Sequence, residues 1–257
     1  MFEKLTVWQA VFIMLILGIT STVSAQAKWQ NIASGLEYKK IPVPHISQWG
    51  VINAYRVNLS HYQLRLAFAK DYDLPATSVR HLANRSDAIL AINGGFFTPE
   101  HKLLGLRIDQ GKQYSPIKNI SWWGVFYTQN NKATITSKHH FQPSKSIDFA
   151  IQSGPRLLVN GNILKLKPGK AERTALAIDR QGHVIIAVTQ KAPMTTTEFA
   201  TILRASEAHN GLNAVSALNL DGGHSTQLYV NLEHFKQNII GYSAITDAVY
   251  IQARKNE

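Results

Sequence analysis

The stretch Ala217-Leu218-Asn219-Leu220-Asp221-Gly222-Gly223-His224-Ser225-Thr226-Gln227-Leu228-Tyr229 decides how this chain is read. The apolar run over 215–220 has the length and bounding turn signal of a buried strand, and it stops at a carboxylate followed by two glycines. A carboxylate at the end of a rigid strand is held in place, and paired glycines let a ligand approach main-chain N–H groups closely. His224, Ser225 and Thr226 add three polar side chains before the chain turns apolar again. The plainer alternative is a tight turn between two strands, with Asp221 bonding its own turn amides.

A second stretch of the same design shifts the balance. Ile89-Leu90-Ala91-Ile92 leads into Asn93-Gly94-Gly95-Phe96-Phe97, again an apolar run that ends in a small polar residue and two glycines. Two strands ending alike imply one pocket at a common sheet edge. With Ser153-Gly154-Pro155-Arg156-Leu157, Arg173-Thr174-Ala175 and Asn219-Leu220-Asp221-Gly222-Gly223 with Ser225, in that order, the set resembles the phosphodiester glycosidase family. The domain of that family is shared with the mannose 6-phosphate uncovering enzyme and many bacterial envelope proteins. The resemblance runs from about residue 89 to 229 and implies hydrolysis of a sugar-1-phosphodiester without a cofactor. The chain departs from the family where a third glycine is usual and His224 stands instead, a side chain that narrows the pocket or adds a proton donor.

Length and composition bound the rest. A chain of 257 residues with 45% hydrophobic content suits a globular protein, and no repeat or low-complexity linker divides it. Residues 1–25 read as a signal peptide: Lys4 precedes an apolar run over 7–19, and Val23-Ser24-Ala25 fits a small-residue cleavage site. The run is short for a span of about 20 residues, with an uncleaved anchor as the alternative. The domain is then 26–257. Cysteine is absent, which excludes disulfides, a thiol nucleophile and lipid attachment at an N-terminal cysteine. An exported chain without cysteine fits a bacterial periplasmic or secreted protein. The formal charge of +11 raises nucleic acid as a partner, but export and the scattering of the basic residues argue for anionic envelope polymers or phosphate-bearing glycans.

Alternation predicts strands over 51–59, 64–68, 88–92, 103–109, 122–128, 133–136, 149–151, 157–159, 173–179, 184–188, 215–220, 227–230 and 245–252. Residues 26–48 read as a ragged lead-in. Asn160-Gly161 marks a type I′ hairpin, and Gln129-Asn130-Asn131-Lys132 another turn. Ser78 heads a short helix, and a helix over 195–210 opens on a Thr195/Glu198 capping box, with Gly211 as its C-terminal cap. Adjacent Trp122 and Trp123 on a strand face opposite sides, so at most one lines a sugar site. The expected fold is α+β: one domain with a mixed, largely antiparallel sheet core and a few flanking helices.

Cleavage at an anomeric carbon requires stabilisation of a positively charged transition state and a place for the phosphate. Asp221 is the carboxylate for that task. Arg156 and Arg173, both in family-matched stretches, are assigned to the phosphate, which a guanidinium meets bidentately; Arg107 is a weaker candidate. Asn93, Gly94, Gly95, Phe96, Gly222, Gly223, His224 and Ser225 form the substrate-binding set, the glycine amides as an anion-binding nest. A second carboxylate is open among Asp109, Asp148, Glu172 and Asp179. Three rivals remain. A serine hydrolase on Ser225 fails on Gln227 in place of glycine, on the following strand and on the lack of a histidine after Asp247. A metal held by Asp221, His224 and Asn93 as mixed ligands is the second, although His139-His140 lacks the i, i+4 spacing of a helical zinc motif and no other histidine pair offers it with a glutamate. A non-catalytic glycan binder keeps the pocket without the chemistry.

Overall fold

The computed structural model describes residues 27–254; the expected leader lies outside the described residues. Successive side chains on a strand point to opposite faces, and here many strands are apolar on both. In Val184–Gln190, Val184, Ile186 and Val188 enter one core while Ile185 and Ala187 enter another. Leu90–Asn93 behaves alike, with Leu90 and Ile92 on one side and Ala91 on the other. Strands buried on both faces require layers on both sides.

Among the described residues the strands form three sheets, of eight, five and five strands. Every pairing is antiparallel. The central core is shared: Tyr55, Leu176, Val188 and Leu218 come from the eight-stranded sheet, Phe126, Phe149 and Ile151 from one five-stranded sheet, and Leu64, Leu90, Ile92 and Val249 from the other. The helix Thr196–Arg204 covers the outer face of the eight-stranded sheet through Phe199, Ala200 and Leu203. The helix Val79–Asn84 covers the second five-stranded sheet through Val79, Leu82 and Ala83. This is the expected α+β single domain.

Local signals held where the interaction is local. Thr195 and Glu198 form the complete capping box, and the Ser78 side chain accepts from the His81 N–H. Asn160 and Gly161 take positive φ at the turn joining Arg156–Val159 to Asn162–Ile163, as do Asn130 and Asn131 in theirs. The long helix ends at Arg204, earlier than read, because Ala205 adopts extended geometry and the chain closes as a short 3₁₀ turn at Glu207–His209. The lead-in contains two strands, Gln30–Ala33 and Leu36–Pro42. Buried Lys39, whose Nζ donates to the Gly211 carbonyl at 2.9 Å, breaks the alternation that would have revealed the second. A strand Lys236–Ile239 lies between the two last expected strands, where none was expected, and the strand expected over 103–109 is confined to Arg107–Asp109. Trp122 and Trp123 precede the strand Gly124–Gln129 rather than sitting on it, yet differ as expected in exposure, 56% against 5%.

Candidate functional site

The two glycine motifs meet, but from two different sheets. Ala214–Asn219 runs between Thr174–Asp179 and Arg156–Val159 in the eight-stranded sheet, whereas Leu90–Asn93 lies between Leu228–Asn231 and Asp247–Ala253 in a five-stranded one. Residues 220–227 are the crossover that joins them. Asn93 pins that crossover: its Nδ2 donates to the Asp221 carbonyl at 2.8 Å, while its Oδ1 accepts from Thr174 Oγ1 at 2.8 Å and from the Gln227 N–H at 3.2 Å. Both ends of the crossover and the neighbouring strand Thr174–Asp179 thus meet on one buried amide. The Gly223 N–H donates to the Glu172 carbonyl at 2.7 Å, and Gly223 has a φ of +60°, a conformation glycine adopts without penalty.

Asp221 therefore sits on a fixed backbone at the end of a central strand. One carboxylate oxygen accepts from the Gly222 N–H at 2.9 Å, and the Ser225 hydroxyl bonds the same side chain. Burial pushes its pKa above the usual carboxylate range; the Ser225 and Gly222 hydrogen bonds pull the other way, the Asp247 charge adds to the rise and Arg107 subtracts from it. A carboxylate so placed is suited to proton transfer nearer neutral pH than an exposed one.

Those last two charges were not read together from the sequence. Arg107 and Asp247 form a fully buried ion pair, Nε to Oδ2 at 2.7 Å, with side chains 0% and 1% exposed. Arg107 Nη1 also donates to the Leu106 and Gln152 carbonyls, each at 3.1 Å. The pair lies directly under the first motif. A Cβ on Gly94 would stand 2.4 Å from Asp247 Oδ2, and one on Gly95 2.4 Å from Arg107 Nη2, so both positions admit only glycine without displacement. No local pattern could have found this, since 140 residues separate the partners.

Of the arginines assigned to phosphate, Arg173 is half-buried, with Nε donating to the Met194 carbonyl at 2.9 Å and Nη2 to the Gly169 carbonyl. Burial lowers its pKa, and among the described residues no carboxylate pairs with it. Arg156 packs its Cγ against Gly124, and its buried Nε lacks a hydrogen-bond partner among the described residues. Trp123 Nε1, Ser153 Oγ and Asn219 Oδ1 are likewise buried without a partner among the described residues, all close to Gly154-Pro155. Buried polar atoms are rarely left unpaired, so their concentration around one turn sets this place apart. Phe96 stands beside it, its ring 5.1 Å from Trp123, which meets the exposed Trp122 edge-on at 5.8 Å.

Other assignments are distributed differently. The N–H groups of Gly94, Gly222 and Gly223 are already bonded, to Asp247 O, Asp221 Oδ1 and Glu172 O; that of Gly95 has no partner among the described residues. His224 is exposed, its ring against Tyr242 at 5.8 Å, and Ser225 is buried with its hydroxyl on Asp221. Asp109 is bound by Arg65 and the Leu66 N–H, and Asp179 holds the 179–183 turn. Asp148 is exposed on its strand, and the Glu172 carboxylate bonds Thr189 Oγ1 and the Ala192 N–H. Among the described residues no group of three or more His, Asp or Glu could hold a metal, and no helix is long and apolar enough to cross a membrane.

The fold and site define a β-rich α+β domain in which a buried carboxylate is fixed in a glycine-lined crossover between two sheets. The chain belongs to the phosphodiester glycosidase family, whose model matches residues 86–252. It is 32% identical over 145 residues to the uncharacterized protein YigE of Escherichia coli (strain K12), a match that covers 52% of this chain and 55% of that protein, so the chain spans about half the length of this curated relative. The fold is similar to that of a hypothetical protein from Synechocystis (TM-score 0.63, 16% identity, 89% of this chain and 64% of that one). It is also similar to the zebrafish N-acetylglucosamine-1-phosphodiester alpha-N-acetylglucosaminidase catalytic domain, auto-inhibited by its pro-peptide (TM-score 0.62, 17% identity, 91% and 85%).

Proposed function

We propose that the chain, matured by removal of residues 1–25, hydrolyses a glycosyl phosphodiester in a bacterial periplasmic or extracellular glycan. The observation that carries this reading is Asp221: a carboxylate locked at a strand end, raised in pKa by burial, in a chain of the phosphodiester glycosidase family. In the reaction, water forms a bond to the anomeric carbon as the bond from that carbon to the phosphate oxygen breaks. The phosphate leaves as a monoester with the bonding pair, and a water proton passes to Asp221 and then to solvent. Charge developing on the leaving phosphate is met by Arg173, which has no acidic partner among the described residues, and by Arg156. Asn93 and the Arg107–Asp247 pair act through Asp221 and the glycine loops, as positioning residues. The net positive charge favours approach of an anionic glycan.

The test is sugar release from a sugar-1-phosphate diester by the chain from Gln26, with Asp221→Asn and Arg173→Ala proteins alongside. Turnover abolished by Asp221→Asn supports the proposal. Folded protein that binds sugars across a panel without turnover replaces it with a non-catalytic glycan binder. Full activity in Ser225→Ala eliminates a serine nucleophile.

A further inference from the structure

A cleft of about 330 Å³ borders the Asp221 crossover through Gly223 and Thr226 but contains none of the three residues assigned to catalysis. That volume is at the small end of ligand pockets, roughly 300–1,000 Å³, and suits one sugar ring rather than a polymer segment. Its walls include Glu172, Gln190, Lys191, Thr226, Asn238 and Tyr242.

Three features point to a ligand. Thr226 is 4% exposed, and its hydroxyl has no hydrogen-bond partner among the described residues, although a buried hydroxyl is normally satisfied. Tyr242 is 92% exposed and Ile240 77%, so two large side chains stand in solvent at the edge of a concave surface. Lys191 is exposed on a backbone of φ +53°, outside the usual range for a side-chain-bearing residue, and has no ion-pair partner among the described residues.

The cleft is also tied mechanically to the carboxylate loop. The N–H groups of Tyr242 and Ser243 both donate to the His224 carbonyl, at 2.9 and 3.0 Å, and the Tyr242 ring meets the His224 ring edge-on. The Tyr242 backbone is thereby tied to the crossover that carries Asp221, three residues before His224. The Glu172 carboxylate on the cleft wall is engaged by Thr189 Oγ1 and the Ala192 N–H, which leaves uncharged donors and acceptors beside an aromatic platform, with a lysine that has no ion-pair partner among the described residues; this set matches a pyranose that carries an anionic substituent.

We propose that this cleft is a binding subsite for an anionic sugar residue of the glycan that carries the scissile bond. The sugar stacks on Tyr242, its hydroxyls bond Thr226, Gln190 and Asn238, and its acidic group faces Lys191. This rests on the glycosidase reading for the substrate's chemistry, but binding here does not require Asp221.

The test is ligand-detected NMR titration with glucose, glucuronate, glucose 6-phosphate and inorganic phosphate, none of which contains a C1 phosphodiester. Proteins are the wild type, Tyr242→Ala, Lys191→Ala, Thr226→Val and Asp221→Asn. The expected result is binding of the two anionic sugars above glucose, weakened roughly 2- to 10-fold by Tyr242→Ala, the range of a lost aromatic contact. Lys191→Ala is expected to erase the preference for the anionic sugars, and Asp221→Asn to leave binding unchanged. Equal affinities in wild type and Tyr242→Ala, or inorganic phosphate binding as well as glucose 6-phosphate, would overturn the subsite. Turnover of a phosphodiester without cleft binding defeats this inference alone, and cleft binding without turnover of any diester defeats the hydrolase proposal alone. Tyr242 and Lys191 are exposed, so their variants fold.

Discussion

Replacing Asp247 by alanine removes the carboxylate that neutralises Arg107. The guanidinium is fully buried, and its remaining contacts near 3.1 Å are to carbonyls, which accept hydrogen bonds but carry no net charge. Removing one partner of a buried ion pair costs roughly 3–5 kcal/mol. Against a typical total of about 5–15 kcal/mol, that is a large share. For a domain of this size each kcal/mol moves Tm by about 2–4 °C, so the melt should fall by roughly 6–20 °C. Urea unfolding followed by tryptophan fluorescence gives the free energy directly, and far-UV circular dichroism gives Tm. Arg107→Met combined with Asp247→Leu should recover much of the loss, because an apolar pair carries no desolvation penalty. Asp247→Asn, which nearly keeps the shape, leaves Arg107 as the unopposed charge near Asp221 and should move the Asp221 titration to lower pH. A loss under about 1 kcal/mol for Asp247→Ala, or a double variant no more stable than the single one, would refute the reasoning.

Asp221→Asn should lower turnover of a sugar phosphodiester about 10²- to 10⁴-fold, the range of a lost proton-transfer group. The same change should stabilise the fold at neutral pH: with a folded pKa above the unfolded one, ionisation of Asp221 opposes folding as pH rises through the folded value. The Tm difference from wild type should thus be present at pH 7 and vanish near pH 3; a difference independent of pH would contradict the raised pKa. Arg173→Ala should reduce kcat/KM for a phosphodiester by roughly 10²- to 10³-fold while sparing an aryl glycoside, which has no phosphate to stabilise; an equal loss on both substrates would assign Arg173 to structure. Thr195→Ala should cost about 0.5–2 kcal/mol in urea unfolding, since it breaks the capping box of the helix Thr196–Arg204.

Much of this protein is written locally. The box at Thr195 and Glu198, the turns at Asn130-Asn131 and Asn160-Gly161, and the strand endings at Asn93 and Asp221 depend on neighbours within a few residues. Sequence alone therefore specified them, together with the largely antiparallel α+β character. The four ordered motifs likewise placed the chain beside its family before any contact was known.

Tertiary structure decided which strands lie side by side and what each motif residue touches. Tyr62–Phe68 follows Val51–Val57 in sequence but pairs with Asp247–Ala253 in another sheet, because both faces of each strand must be covered and the best apolar partner lies far along the chain. Asp247 could not be read as the charge that bears on Asp221, nor Arg107 as its buried partner, since Coulomb interaction and burial depend on distance in space. The amide of Asn93 reads as free to meet a ligand until folding directs it to Asp221, Thr174 and Gln227. Periodicity records which face of a strand is apolar; only the packed sheets determine what that face meets.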